Sequence, residues 1–337
     1  MLGLVQGKGR VLKIAGLKTG VLALACGLLV QLGNLQAAHA GCPPPLQAPG
    51  AEQVRVAQQA ARNRGFLWKI SKAGRSSYIY GTIHIAKFEW MFPGPDVVKA
   101  LRSADTIALE LNLLDQATVN SLQQGMQDDK VPGTQADGSA TVPAEFTAWV
   151  RQQAQDNCLD MTVLATLRPE FQVALISTSA ARKQGLEIVY GIDLMLTQVA
   201  KSSWKPLEAL ESAQDQLDAI RSESKDLAQA ASEGAFTVEE AERSQKILMR
   251  IANAWASSDF NTINSYAKWC ECMDSPVERQ EMQRLVDDRN PKMAQRIDSL
   301  HADGRSVFAA VGALHLIGEK GLPALLAKKG YTVQRIF

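Results

Sequence analysis

The 337-residue sequence predicts an α/β fold: a layered, mixed but largely parallel sheet flanked by helices, with a helical insertion or cap. Three observations lead there. Short apolar runs rich in aromatic and branched residues alternate with longer amphipathic runs, as strands do with the helices that connect them. The stretch from Leu217 to Leu300 holds no strand-like run, so it forms the insertion. A composition of 46% hydrophobic and 21% charged residues is that of an ordinary globular protein, which excludes a disordered chain, a collagen-like repeat and a polytopic membrane protein.

In chain order, residues 1–40 read as a secretory signal. The basic stretch Lys8 to Lys18 precedes the apolar run Val21 to Val30, and Ala38-His39-Ala40 closes it with small residues, so cleavage is expected after Ala40. The competing reading is a retained membrane anchor, for which the apolar run is short of the ~20 residues a span needs. Residues 41–65, Pro-rich and then polar, read as a tether, and residues 66–337 as the α/β domain. Phe66 to Ser71 and Tyr78 to Ile83 are expected as neighbouring strands about the turn Ala73-Gly74-Arg75-Ser76. A short helix follows Pro95, and Thr106 to Leu109 is the next strand. Residues 128 to 143 form a long loop. Further strands are expected at Leu186 to Tyr190, Pro206 to Leu210, Val307 to Val311 and Tyr331 to Ile336. Helices are expected at Glu170 to Lys183, Asp193 to Lys201, Thr237 to Ala256 and Val277 to Leu300.

Charge narrows the partners. The first 40 residues carry Lys8, Arg10, Lys13 and Lys18 and no acid, so the remainder holds 32 of the 36 basic residues against all 35 acids. Such a chain lacks the basic surplus of a nucleic-acid binder. Membrane association is expected only if the N-terminal segment is retained. Export, to the periplasm or beyond, also changes how cysteine reads. Cys42, Cys158, Cys270 and Cys272 remain after cleavage, an even set that allows two disulfides in any of three pairings. A metal site at Cys270 and Cys272 is the weaker reading, because no second pair stands at zinc-like spacing.

The chemistry lies just beyond the strand ends, where ligands of open α/β sheets bind. His84 follows Tyr78 to Ile83, Glu110 follows Thr106 to Leu109, and His315 comes four residues after Val311. Asp193 lies three residues after Tyr190, and Glu211 directly after Leu210. The two histidines share a local frame, Gly81-Thr82-Ile83-His84 and Gly312-Ala313-Leu314-His315. Two imidazoles and a carboxylate suit a divalent transition metal with one position left for water, and a metal-activated water is a hydrolytic nucleophile. The plainer alternative makes each histidine a hydrogen-bonded core residue, and Asp193 and Glu211 helix N-caps. Arg289-Asn290 before Pro291 reads either as a helix boundary or as an anion or substrate clamp. His301, near a helix end, reads as structural. Other templates fail, since the sequence has no Gly-x-Ser-x-Gly elbow, no Walker-type loop and no His-Glu-x-x-His helix.

Taken together, Tyr78 to His84, Ala104-Asp105 with Glu110-Leu111-Asn112, Gly191-Ile192-Asp193, Leu210-Glu211-Ser212 with Gln216, Asp288-Arg289-Asn290, and Val311 to Gly318 followed by Gly321 and Gly330-Tyr331 resemble the successive motifs of the TraB/GumN family. The resemblance runs from about Phe66 to Phe337. It implies an α/β fold similar to the erythromycin esterase and ChaN-like group. Through the Tiki proteins of the same family, it also implies a metalloprotease dependent on manganese or cobalt, with zinc as the further candidate. Carried over, the ligands are His84, Glu110 and His315, the trio already picked out at the strand ends. Asp193, Glu211 and Arg289 would then orient water, ligands or substrate. The expected substrate is a peptide or an envelope protein. Two other functions are compatible with the resemblance: a non-catalytic protein that sequesters a peptide, and an accessory factor in envelope polysaccharide assembly.

Overall fold

The computed structural model describes residues 46–127, 142–221, 224–232 and 234–337. The expected signal segment, Cys42 and all but the last two residues of the expected loop 128–143 lie outside the described residues. Among the described residues no helix is long and apolar enough to cross a membrane.

The described chain opens with helix α1 (Ala51–Gln59) and the strands β1 (Phe66–Lys72) and β2 (Arg75–Thr82). Ala73 and Gly74 join the two strands with φ of 51° and 75°, the left-handed pair that a tight hairpin turn requires. After β2 come α2 (Pro95–Ser103) and β3 (Thr106–Leu109). The longer helices that then lead to β4 (Leu207–Ala209) are α3 (Gln116–Met126), α4 (Ala144–Asp156), α5 (Pro169–Ala180) and α6 (Ile192–Ser203). The helical insertion follows with α7 (Ala213–Ile220), α8 (Ser224–Ser232), α9 (Val238–Ala256), α10 (Pro276–Met282) and α11 (Asn290–Ala302). The chain closes with β5 (Val307–Gly312), α12 (Leu322–Lys328) and β6 (Thr332–Arg335).

The strands form one mixed sheet in the order β4-β3-β5-β2-β1-β6. The pairs β4/β3, β3/β5 and β5/β2 are parallel, whereas β1 runs antiparallel to both β2 and β6. This is the α/β architecture the sequence predicts. Its centre is β5, whose residues Val307 to Val311 are all fully buried. A continuous apolar run marks a strand covered on both faces. Alternation along β2 identifies the covers: Ser77 Oγ meets His301 Nδ1 of α11 at 2.9 Å, and Thr82 Oγ1 donates to Asp193 Oδ1 of α6 at 2.6 Å. An odd and an even position of one strand point to opposite faces, so α6 and α11 sandwich the sheet. Parallel pairing brings the carboxyl ends of β2, β3, β4 and β5 to one edge.

Several expectations are revised. Leu186 to Tyr190 is not a strand. Its one sheet-like contact is the bridge Ala86↔Glu187, after which Ile188–Tyr190 form a single 3-10 turn. The reason lies next door: a Cβ on Gly191 would sit 2.4 Å from the His84 carbonyl oxygen, so the chain is pressed against the end of β2 and turns straight into α6. The stretch read as a tether carries α1, and Gly65 N–H donates to the Trp255 carbonyl at 2.8 Å. The helix expected from Val277 to Leu300 is broken, because a π-turn at Gln283–Asp287 and Pro291 in the first turn of α11 divide it into α10 and α11. Cys270 and Cys272 are joined in a disulfide, and Cys158 is disulfide-bonded as well. His301 is structural: both ring nitrogens are engaged, at Ser77 Oγ and at the Lys72 carbonyl.

Candidate functional site

Each strand of the parallel set delivers one polar group to the common edge. β2 ends at Thr82, and His84 follows two residues later. Glu110 follows β3 directly. Glu211 lies beside it because Leu210 N–H donates to the Leu109 carbonyl and Glu211 N–H to the Glu110 carbonyl, carrying the β3/β4 ladder past the strand ends. Gly312 terminates β5, and the chain then coils into a 3-10 turn, Ala313–Leu316, that holds His315. Across this edge stand Asp193 in the first turn of α6 and Arg289 at the break before α11. The structure thus brings all six sequence-predicted residues into one cluster. His84, Glu110, Glu211, Arg289 and His315 are buried.

The histidines are held alike. His84 Nδ1 lies 2.6 Å from Asp193 Oδ2, and His315 Nδ1 lies 2.7 Å from Asn290 Oδ1. An ionised carboxylate only accepts, and the Asn290 amide nitrogen is already donating to the Lys320 carbonyl, so both Nδ1 atoms carry the proton. In a neutral ring that leaves the lone pair on Nε2. Gly312 shows where these rings converge. A Cβ placed on it would stand 3.3 Å from His84 Nε2, 3.4 Å from Glu110 Oε1 and 3.7 Å from His315 Cδ2. Glycine keeps that point open, since φ of −51° there is accessible to any residue.

Glu110 is fixed from three directions. Its Oε1 accepts the Gly312 N–H at 2.6 Å, its Oε2 accepts Arg289 Nη2 at 2.6 Å, and Gln216 Nε2 approaches Oε2 at 3.4 Å. Arg289 also forks onto Glu211, with Nε donating to Oε2 at 2.9 Å and Nη2 to Oε1, while Nη1 donates to the Leu285 carbonyl. Arg289 therefore marks the helix boundary, and its guanidinium is taken up by the protein's own groups, Glu110, Glu211 and the Leu285 carbonyl. Asp193 and Glu211 are not N-caps. Gly191 occupies that position on α6, and Ser212 caps α7.

The environment separates the two rings electrostatically. Burial opposes charge on His84, but the Asp193 carboxylate and its hydrogen bond, with Glu110 beyond, raise its pKa. For His315, burial, Arg289 and His84 all act in one direction and hold it well below the ordinary imidazole value, so this ring is neutral. Burial raises Glu110 against the pull of Arg289. Asp193 is lowered, because the charge and hydrogen bond of His84 and the Thr82 hydroxyl outweigh its burial.

The donor chemistry suits a divalent cation. The carboxylates of Asp193, Glu110 and Glu211 against one guanidinium leave a formal charge of −2; the neutral His315 ring offers one imidazole lone pair, and His84 offers a second when a cation displaces its proton. Among the described residues, however, no three His, Cys, Asp or Glu side chains are already drawn into a metal-holding group. His315 Nε2 and Glu110 Oε2 stand 4.0 Å apart. Ligands of one tetrahedral ion bound at ~2.1 Å lie roughly 3.4 Å from each other, a difference of about half an ångström. Four participants escape a strand-end reading: Thr82, Gln216, Asn290 and the Gly312 N–H. The first three stand in the recognised motifs, but nothing in their residue types announces which partner each holds.

The model of the TraB/PrgY/gumN family matches residues 66–335. The chain is similar to the uncharacterized protein YbaP of Shigella flexneri, 25% identical over 289 residues that cover 81% of this chain and 98% of the relative. YbaP of Escherichia coli (strain K12) is 24% identical over the same shares of each chain. No solved structure matches.

Proposed function

The chain belongs to the TraB/PrgY/gumN family, and from that premise and the Gly312 cradle we propose that it is an exported metal-dependent hydrolase acting on peptide bonds of a peptide or envelope protein. The observation that carries this reading is the pair of imidazoles whose Nδ1 atoms are each tied to an acceptor while both rings converge on Gly312. Carboxylate or amide support behind a histidine is how metal-binding rings are oriented.

In this proposal His84 and His315 hold the ion through Nε2, and Glu110 is the third ligand or the base that takes a proton from water. Manganese or cobalt is the expected ion, with zinc as the further candidate. When bound, the ion supplies an acidified water and a Lewis acid for the scissile carbonyl. The protein supplies the rest. Asp193 and Asn290 hold the ring orientations, and Arg289 with Gln216 holds Glu110 from behind. Arg289 bonds both Glu110 and Glu211 and offsets one of their two buried charges, and a bound cation would offset the other. Export to the periplasm or beyond rests on the N-terminal 40 residues of the sequence.

The test is metal content after incubation with Mn²⁺, Co²⁺ or Zn²⁺ and desalting, for the parent, His84→Ala and His315→Ala, together with peptide digests with and without chelator. Near-stoichiometric metal lost in both variants, and cleavage abolished by chelator, are expected. Unchanged peptides in every arm would sink the hydrolase, and negligible metal in all three proteins would remove the ion.

A further inference from the structure

Away from the strand-end cluster, a cavity of 420 Å³ opens between α4, α5 and α9, and none of its lining residues belongs to the network around Glu110. Val173, Ile176 and Ala180 of α5 give one wall, Ala241 of α9 another, and Trp149, braced by Phe236 at 5.6 Å between ring centres, a third. Val173, Ile176 and Ala180 recur at helical spacing, so one face of α5 is turned to the space. A second cavity of 570 Å³ shares Gln184, Gln245 and Lys246 with the first and continues along α9 to Ser257 and Asp259. The two make one trough beside a 19-residue helix. At ~1.5 Å per residue the helix is about 28 Å long, the span of roughly eight residues of extended chain.

The polar groups of this trough are unfinished in a specific way. Asn157 Nδ2 donates to the Gln153 carbonyl at 2.9 Å and Gln245 Nε2 to the Ser177 carbonyl at 2.8 Å. These bonds fix which end of each amide is nitrogen. The opposite ends, Asn157 Oδ1 and Gln245 Oε1, meet no protein hydrogen-bond partner, and neither does Trp149 Nε1. Two acceptors and one donor, shut away from bulk water, are left over on residues that line one cavity. Each such group costs free energy until it is met. The charges at the rim, Asp156, Glu240 and Glu242 against Lys183 and Lys246, are of mixed sign and select no ion.

We propose that this trough is a docking site for an extended peptide, held chiefly by its main chain. A peptide offers N–H donors for Asn157 and Gln245 and a carbonyl for Trp149, in a linear form that fits a long channel, apolar along α5 and polar towards Ser257 and Asp259. Binding would require small rotations of these side chains. The site is independent of the hydrolase reading, since it needs neither the ion nor His84.

The test exposes the intact protein to a tryptic digest of unfolded casein, separates bound from free peptides by size exclusion, and identifies the bound set by mass spectrometry. Retention of a reproducible set by the parent is expected. Trp149→Phe and Gln245→Met, which remove one polar group each, should weaken the tightest peptide about fivefold. Ala241→Trp, which fills the channel without deleting a polar group, should abolish retention, and His84→Ala should leave it unchanged. Thermal melts confirm that each variant is folded. Two results overturn the proposal: no peptide retained by the parent, or retention that survives Ala241→Trp. Loss in His84→Ala with survival in Ala241→Trp would place the peptides at the strand-end cluster, overturning the docking site while leaving the hydrolase standing.

Discussion

His84 Nδ1 and Asp193 Oδ2, 2.6 Å apart, join the end of β2 to the first turn of α6 and so couple one imidazole to one face of the sandwich. Asp193 also accepts from Thr82 at 2.6 Å, so a single carboxylate sets both the ring and the strand end. Asp193→Asn keeps the size but removes the anionic acceptor. If His84 is a ligand, the loss of that support should weaken Mn²⁺ uptake by about 10–100-fold, as loss of such supporting groups does elsewhere. Equilibrium dialysis measures this directly. Uptake equal to the parent's would show that Asp193 does not position a ligand.

Arg289 is the hinge of the network's charge. Its guanidinium is buried, and Glu110 and Glu211 outweigh burial to raise its pKa, so it stays charged. Arg289→Leu would strand two buried carboxylates and should destabilise the fold by about 3–5 kcal/mol. Arg289→Lys should also destabilise, because one ammonium cannot serve Glu110, Glu211 and the Leu285 carbonyl in the directions that a planar fork does. Urea denaturation of both variants checks the pair. A lysine variant as stable as the parent would mean that charge alone, and not the fork, holds the cluster.

The degree to which this arrangement was legible follows from the kind of signal each part carries. Continuous burial made β5 plain as an apolar run, and the strand-end rule alone located His84, Glu110 and His315, because topology fixes where a parallel strand delivers its next residue. Leu186 to Tyr190 misled, since an apolar run of strand-like length looks the same whether it pairs or merely packs against the end of β2. The helix α3 was missed for the opposite reason: Gln116–Met126 is largely polar, and its clearest mark is the Asp115 side chain accepting from Ala117 and Thr118 N–H groups. Asn290 and Gln216 were hidden because a carboxamide takes its role from whatever approaches it in three dimensions. The π-turn that sets Arg289 at a break has no signature in hydrophobic periodicity.

A pH effect should appear at the start of α7. Burial opposes the Asp215 charge, but Lys292 at 2.5 Å and the Ser212 hydroxyl and N–H outweigh it and lower its pKa to about 2. A carboxylate depressed in the folded state adds stability above its unfolded value of ~3.9, and that stability is lost as pH falls towards 2. The group is partly exposed, so after screening the contribution is about 1 kcal/mol at neutral pH. Asp215→Asn should therefore be less stable than the parent in urea at pH 7, with the gap closing near pH 2. A gap that persists at low pH would assign the effect to packing of the capping box instead of to charge.

Gly312 gives the sharpest separation of folding from function. Its backbone conformation suits any residue, so Gly312→Ala introduces no backbone strain. The nearest atoms to the new methyl group would be His84 Nε2 at 3.3 Å, Glu110 Oε1 at 3.4 Å and His315 Cδ2 at 3.7 Å. These contacts are tight without being prohibitive, and the methyl removes some backbone freedom from the unfolded chain, so stability should change by less than about 1 kcal/mol. The same methyl fills the point on which both rings converge. A cation held there would lose its place, so metal uptake should fall at least tenfold while urea denaturation stays close to the parent. Full uptake in a folded Gly312→Ala protein would mean that any ion sits elsewhere, and the cradle would lose its claim to be the site.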